Sequence, residues 1–209
     1  MKIFTEIIVT VLLFAIFASI HSFLAQLSIK QRIAEEAGNK IAFYRIFYNA
    51  VSVILFLFFW KLSPDSGYYL YDLDTPYDLI IVTLQILSLF GIIWAFNSSR
   101  NSYEFLGLSQ VKRYLRGEYQ ISDLDEKNRL VFSGAYKLCR HPVYFFTILF
   151  LGLRPAMSVF YLVFFICSVV YFYIGSLLEE KRLEKILGEA YIEYKNKVPG
   201  IIPFKILRK

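Results

Sequence analysis

The sequence is poor in the residues that build metal centres and disulfide frameworks. Its 209 residues include two cysteines and two histidines, too few for a four-cysteine zinc site or a set of disulfide bridges. Charged residues make up only 19% of the chain, against about 25% in soluble domains, which argues against a water-exposed globule. No glycine-rich turn joins a strand to a helix, so a soluble dinucleotide-type fold is excluded too. We therefore expect no bound metal and no nucleic-acid partner.

Apolar residues are abundant instead. They form 57% of the chain, and aromatic residues alone form 19%, which is more apolar surface than a core of this size can bury. A lipid bilayer is expected to cover the rest. Three apolar runs are long enough to cross it, at about residues 3–27, 41–60 and 79–96. A cleaved signal peptide is the alternative for the first run, but that run is longer than the usual apolar core of a signal.

A fourth apolar run, residues 143–178, is broken by Arg154 and Pro155. As one helix it would be about 54 Å long, well beyond the roughly 30 Å of a bilayer core. The interruption predicts a helical hairpin whose first arm, residues 143–153, is short. The alternative is a single long helix kinked at Pro155, which would place its two ends on opposite sides of the membrane.

The basic residues are concentrated in three segments. Residues 28–40, 97–142 and 179–209 hold 19 of the 23 lysines and arginines. Because cytoplasmic segments retain positive charge, this distribution predicts an N-terminus outside and a C-terminus in the cytoplasm. It also favours the hairpin, since a kinked single helix would separate the second and third basic segments across the membrane.

The predicted fold class is therefore an all-α, multi-span integral membrane bundle. We expect about five transmembrane helices and a C-terminal amphipathic helix on the cytoplasmic side, within the cytoplasmic membrane of a prokaryote or the endoplasmic reticulum of a eukaryote. A short helix near Ser122–Leu130 is also predicted. The single domain, residues 1–209, would divide into three N-terminal spans, a cytoplasmic loop, the hairpin, and the amphipathic helix with its tail: residues 1–96, 97–142, 143–178 and 179–209.

The hairpin brings two charged motifs to one place. Arg140, His141 and Pro142 precede its first arm, and Glu179 and Glu180 follow its second. Pro142 suits the first turn of a helix, whose free amides can hold an anion. A purely structural interpretation is that the arginine marks the membrane boundary and the glutamates begin a helix. It does not explain why Glu180 shares the apolar stripe of the following residues, where a carboxylate needs a cationic partner.

These motifs resemble a known family. The order Arg140-His141-Pro142-Val143-Tyr144, an apolar hairpin, Glu179-Glu180, and then residues 188–195 is similar to the isoprenylcysteine carboxyl methyltransferase superfamily of membrane-embedded S-adenosylmethionine enzymes. Shorter likenesses at residues 20–22, 91–94 and 104–110 resemble its methanethiol S-methyltransferase branch. The chain has Ser102 and Ser109 where that branch carries a histidine and an arginine.

The resemblance implies S-adenosylmethionine as the cofactor, with roles for residues on the predicted cytoplasmic face. Arg140 and Glu180 would be catalytic. The resemblance and the chemistry of the donor together suggest cofactor contacts from Gly134, Tyr136, His141, Pro142, Tyr144, Glu179, Glu180, Tyr191 and Tyr194. Substrate contacts would come from Asn101, Glu104 and Gln110.

The acceptor is expected to be small or lipid-like and apolar, with a thiol as the leading candidate. A prenylated cysteine carboxyl group and a phospholipid headgroup amine are the alternatives within the enzyme class. Outside it, the chain would be a non-catalytic membrane subunit or a small transporter. A transporter predicts polar residues at the bilayer midplane, whereas the polar clusters here gather at one face. The sequence leaves the oligomeric state open.

Overall fold

The computed structural model describes residues 2–98, 102–121 and 133–204. Almost all regular structure in these ranges is helical, which confirms the predicted fold class. Nine α-helices are described there: α1 Lys2–Ala25, α2 Leu27–Ala37, α3 Tyr44–Leu62, α4 Tyr77–Ser98, α5 Ser102–Phe105, α6 Leu108–Leu115, α7 Pro142–Gly152, α8 Val159–Leu187 and α9 Glu189–Lys197. Two short strands, β1 Tyr69–Asp72 and β2 Ala156–Ser158, and two 3₁₀ helices, Gly38–Phe43 and Gly134–Lys137, complete this set.

Four helical stretches among the described residues are long and apolar enough to cross a membrane. They are Lys2–Ala25, Leu27–Leu62, Tyr77–Ser98 and Val159–Leu187. The fifth predicted span corresponds to α7, which has only 11 residues and is therefore roughly 16 Å long. It ends before Arg154 and Pro155 because a proline disfavours helical backbone in the residue that precedes it.

The chain forms two compact units, and the first contains the described residues 2–7, 65–98 and 133–204. In this unit α4 packs against α7. A side chain at Gly91 in α4 would collide with the ring of Phe146 in α7, so the glycine permits this close approach. The amide of Gln85 donates to the carbonyl oxygen of Phe150 at 3.0 Å, which supplies a partner near the end of the short helix.

The turn of the hairpin is part of a small antiparallel sheet. Strand β2 lies between α7 and α8 and pairs with β1, with Tyr69 opposite Ser158 and Asp72 opposite Ala156. Ser158 then caps α8 by accepting a hydrogen bond from the Tyr161 amide at 3.2 Å. The sheet thus ties the connection between α7 and α8 to the segment that precedes α4.

Helix α8 differs from the sequence prediction at its C-terminal end. The amphipathic helix expected to begin at Glu179 is the continuation of α8, which runs without a break to Leu187. The break comes at Gly188, whose φ of 55° is accessible to glycine at little cost. A separate helix, α9, follows it. The short helix predicted near Ser122–Leu130 lies outside the described residues.

The second unit contains residues 8–64 and 102–121 of the described chain. Phe14 of α1 packs edge-on against Phe59 of α3, with ring centroids 5.6 Å apart. Side chains of α3 also hold the segment before α6. Arg45 donates to the carbonyl oxygen of Glu104 at 3.1 Å, and Asn49 donates to that of Phe105 at 3.2 Å.

Candidate active site

The approach to α7 is fixed by a glycine turn. Gly134 has a φ of 59°, and a side chain there would collide with the hydroxyl of Ser98 at the end of α4. That hydroxyl accepts a hydrogen bond from the Ala135 amide at 3.3 Å. The resulting 3₁₀ helix, Gly134–Lys137, carries Tyr136. Two of the predicted residues, Gly134 and Tyr136, therefore lie at the end of α4, immediately before the charged motif.

Arg140 joins the two ends of the hairpin to the C-terminal segment. Its Nε and Nη2 donate to Glu180 Oε1 at 2.9 and 2.7 Å, and its Nη1 donates to the carbonyl oxygens of Lys195 and Val198 at 3.1 and 2.6 Å. The backbone amide of Arg140 also donates to the carbonyl oxygen of Pro199 at 2.9 Å. The structure thus brings the basic motif before α7 into contact with the acidic motif in α8.

Glu180 is a buried carboxylate, with 5% of its surface exposed. Besides Arg140, it accepts from Nε2 of His141 at 3.1 Å, and its Oε2 lies 3.1 Å from Nζ of Lys195. Three donors therefore compensate the cost of burying this charge. The cationic partner that the sequence required is found in Arg140 and His141. Lys195, which sequence reasoning had not assigned to the site, is a third.

His141 lies between the two glutamates. Its Nδ1 is 3.5 Å from Glu179 Oε2, while its Nε2 faces Glu180. Burial alone lowers the pKa of His141, but hydrogen bonds and charge from Glu179 and Glu180 outweigh it, so the pKa is raised above its usual value of 6.5. An imidazolium donating from both ring nitrogens fits this geometry.

The ring of Tyr144 lies beside Glu179 on the hairpin side of the site. Tyr144 stacks on His141 with ring centroids 5.4 Å apart and on Phe172 of α8 at 5.1 Å. Its hydroxyl donates to Glu179 Oε2 at 3.3 Å. The side chain of Glu179 is 49% exposed. Glu179 is therefore the carboxylate of the pair that a ligand can reach, whereas Glu180 is enclosed by protein donors.

Two tyrosines of α9 complete the site. Tyr194 donates its hydroxyl to the carbonyl oxygen of Tyr136 at 2.7 Å. Tyr191 is 1% exposed, and its hydroxyl has no hydrogen-bond partner among residues 2–98, 102–121 and 133–204. Burial and the charge of nearby Glu180 raise the pKa of Tyr191. Buried polar atoms are normally satisfied, so this hydroxyl is an exception within the described residues.

A cavity of about 390 Å³ opens beside Tyr136 and Tyr194. Its size falls within the roughly 300–1,000 Å³ of small-molecule sites. The nearby thiol of Cys139 is fully buried, and burial raises its pKa to about 11, so it stays protonated at neutral pH. The cavity is lined by Tyr136, Lys137, Ala190, Glu193, Tyr194, Lys197 and Val198.

The predicted substrate contacts lie in the other unit. Glu104 Oε1 is 3.4 Å from Nη1 of Arg113, and the carbonyl oxygen of Glu104 accepts from the Gln110 amide at 3.1 Å. Gln110 is buried, and its Oε1 has no partner in the part of the chain that the structure describes. Asn101 lies outside that part.

His21, which lies in one of the short stretches of family likeness, forms a polar group with two residues that the sequence did not single out, in the same unit as these contacts. His21 Nδ1 is 2.9 Å from Ser52 Oγ, and its Nε2 is 2.7 Å from the hydroxyl of Tyr48. Tyr48 and Ser52 are one helical turn apart on α3, a spacing that places both side chains on one face of the helix. That spacing was the only signal for them in the sequence.

The fold and this charged cluster define a class of protein, a helical integral membrane protein with a charged cluster at the joined ends of a hairpin. Comparison with known proteins then specifies the family. The chain is 31% identical over 203 residues to methanethiol S-methyltransferase 1 of Bradyrhizobium diazoefficiens, which covers 95% of this chain and 67% of that protein. It is also 31% identical to the methanethiol S-methyltransferases of Pseudomonas deceptionensis and Crocosphaera subtropica, over 94% and 96% of this chain and 72% and 76% of theirs.

The chain therefore belongs to the methanethiol S-methyltransferase family, and it is a methyltransferase. No family model and no solved structure matches it. The expected superfamily and the branch within it are both confirmed by these relatives.

Proposed function

We propose that the protein methylates a small thiol of the methanethiol type and takes the methyl group from S-adenosylmethionine. The names of the relatives support the acceptor. The main support for S-adenosylmethionine as the donor is Glu179. Its carboxylate is half-exposed and accepts a hydrogen bond from Tyr144 where the two ends of the hairpin meet. A carboxylate in such a setting attracts an organic cation.

The residues present fit this donor. S-adenosylmethionine carries a sulfonium, an ammonium, a carboxylate and an adenine ring. Glu179 suits the positive groups, and the rings of Tyr136 and Tyr194 beside the cavity suit the adenine. Lys137, which lines the same cavity, suits the carboxylate, whereas Lys197 is paired with Glu193. Tyr191, whose buried hydroxyl has no partner among the described residues, stays a predicted contact.

We assign Arg140 and Glu180 a supporting part in catalysis. The four hydrogen bonds of the Arg140 guanidinium go to Glu180 and to two backbone carbonyl groups. Glu180 is likewise enclosed by donors from the protein. Both side chains therefore act as positioning residues that hold the hairpin ends and α9 together. His141 and Tyr144 orient the carboxylate of Glu179 through the contacts described above.

When bound, S-adenosylmethionine would supply an electrophilic methyl group. The thiol sulfur would form the new bond to this carbon as the bond to the sulfonium breaks and the thiol proton passes to water, giving a methyl thioether and S-adenosylhomocysteine. The part of the protein is to align the reactants and to exclude water. Asn101, Glu104 and Gln110 stay predicted acceptor contacts. Of the two described residues, Gln110 offers a buried amide oxygen, whereas the carboxylate of Glu104 is paired with Arg113.

A labelling experiment with the purified full-length protein in lipid nanodiscs tests this proposal. With ¹³C-methyl S-adenosylmethionine and methanethiol, we expect labelled dimethyl sulfide by gas chromatography and mass spectrometry. Calorimetry should show binding of S-adenosylhomocysteine. Glu179→Gln should weaken that binding about tenfold, which is the loss of roughly 1.4 kcal/mol from one charged contact.

The matched control is Glu189→Gln, which removes the same charge from an exposed position at the start of α9. It should leave the affinity for S-adenosylhomocysteine unchanged. A wild-type protein that neither binds S-adenosylhomocysteine nor forms labelled dimethyl sulfide would refute the proposed function. Labelled product from a prenylcysteine or a phospholipid, and none from thiols, would replace the acceptor with one of those classes.

A further inference from the structure

Three glycines lie within α4, α7 and α8, and two of them are explained by packing. A side chain at Gly91 would collide with the ring of Phe146, and a Cβ at Gly152 would lie 3.0 Å from Cζ of Phe165. Gly175 in α8 is different. Among the described residues, and leaving out its chain neighbours and its own helix backbone, the nearest atom to its Cβ position is the hydroxyl oxygen of Tyr144 at 4.0 Å, an ordinary contact distance. Neither packing nor a positive φ requires glycine there.

Glycine in the middle of a helix weakens that helix relative to alanine. A position that tolerates alanine sterically and still carries glycine therefore leaves a methyl-sized space unfilled. One boundary of this space is well defined, because the Tyr144 ring is stacked between His141 and Phe172. The Tyr144 hydroxyl is also tied to Glu179 at 3.3 Å. The space thus adjoins the candidate active site.

Polarity changes along this face of α8. Phe172, Gly175 and Glu179 are spaced by three and four residues, which places them on one face of the helix. The stacked ring comes first, the glycine next, and the accessible carboxylate last. A charged methyl donor is expected to bind at the Glu179 carboxylate. The apolar part of a thiol is expected to bind one helical turn away, between the Phe172 ring and the Tyr144 hydroxyl.

We propose that Gly175 determines the size of the thiol that the enzyme accepts, because the alkyl group of the acceptor occupies the space beside this glycine and the Tyr144 hydroxyl. This inference rests on the proposed function and adds a residue that controls its substrate range. It predicts that a side chain at position 175 competes with the alkyl group of the thiol for this space. Such a substitution should leave the donor site at Glu179 intact.

The test compares kcat/KM for methanethiol, ethanethiol and propanethiol in the wild type, Gly175→Ala and Ser176→Ala. For Gly175→Ala we expect the ratio of propanethiol to methanethiol activity to fall about tenfold, the lower end of what one methylene group costs in a tight pocket. The affinity for S-adenosylhomocysteine should stay within about twofold of the wild type. Alanine is the better helix former, so Gly175→Ala should also keep its thermal stability.

Ser176→Ala is the matched control. This neighbouring residue bonds its hydroxyl to the carbonyl oxygen of Tyr173 in its own helix at 2.7 Å, and its removal should leave the thiol profile unchanged. If Gly175→Ala alters all three thiols by one factor, or weakens S-adenosylhomocysteine binding with them, this inference is overturned while the proposed function stands. If the wild type methylates no thiol, both the proposed function and this inference are refuted.

Discussion

Two adjacent glutamates have acquired different environments. Consecutive helical residues point about 100° apart, so Glu180 is directed into the cluster of Arg140, His141 and Lys195, whereas Glu179 keeps an exposed side chain. Removing a partner from a buried ion pair leaves an uncompensated charge. Substitutions at Glu180 should therefore affect folding first, and substitutions at Glu179 should affect ligand binding first.

His141 gives this cluster a pH dependence. Its pKa is raised in the folded protein by the two glutamates, which outweigh the opposing effect of burial. A group whose pKa rises on folding stabilises the folded state fully below its unfolded pKa, near 6.5, and loses that contribution as the pH rises through the folded value. We expect the wild type to exceed His141→Gln in unfolding free energy by about 1.5–3 kcal/mol at pH 6, the usual value of a charged hydrogen bond.

That difference should shrink as the pH is raised from 6 to 9. The measurement is the thermal unfolding of both proteins in the same detergent at each pH, because the titration of all other groups then cancels in the comparison. A difference that is constant over this range, or that grows with pH, would show that His141 is not protonated preferentially in the folded state.

The contact between α4 and α7 depends on one glycine. Gly91→Ala places a methyl group inside the ring of Phe146, and overpacking of this kind costs about 1–3 kcal/mol. The gain in helix propensity, about 1 kcal/mol, offsets part of it. We expect Gly91→Ala to lower the thermal unfolding midpoint and to recover much of the loss when combined with Phe146→Leu.

Gly175→Ala makes the same change in a helix with room for the methyl group, so it is the matched control and should not lower the unfolding midpoint. If Gly91→Ala is as stable as the wild type, the contact between α4 and α7 does not depend on glycine at this position. If Phe146→Leu fails to restore stability, the collision is not with that ring.

The helices could be predicted from the sequence, but one boundary could not. Apolar runs located α1, α3 and α4, and Arg154 with Pro155 located the turn between α7 and α8. The change from apolar to polar residues at Glu179 was taken as the start of a new helix. A change from apolar to polar residues shows that a helix leaves the membrane, but it does not end the helix. The helix ends only at Gly188. Glycine was the better signal.

The site was predictable where neighbouring residues in the sequence stay neighbours in the fold. Arg140, His141 and Tyr144 were named from the hairpin and the family resemblance. The structure shows that they cluster with Glu179 and Glu180, and their roles stay predictions. Lys195 was missed because its contact with Glu180 depends on how α9 folds back after Gly188. No local pattern encodes that direction.

The described contacts of the first unit place the tip of the hairpin and its two ends at opposite ends of α4. Strands β1 and β2 pair at one end of this unit, so the segment before α4 lies beside the tip of the hairpin. At the other end of α4, Ser98 meets Ala135, and Arg140 meets Glu180. A hairpin that crosses and returns needs this arrangement, with its tip and its two ends at opposite ends of α4. The basic residues predict which end faces the cytoplasm.

Cysteine labelling in intact bacterial cells tests that orientation. In a Cys167→Ser background, where the native Cys139 is buried, Asp65→Cys and Lys185→Cys place one thiol each at exposed positions near opposite ends of the first unit. Because Asp65 precedes β1 and Lys185 follows the hairpin, a membrane-impermeant maleimide should label position 65 in intact cells and position 185 only after permeabilisation. The reverse pattern would invert the predicted topology. Labelling of both positions in intact cells would contradict the crossing of the hairpin itself, since its tip and its ends would then share one side of the membrane.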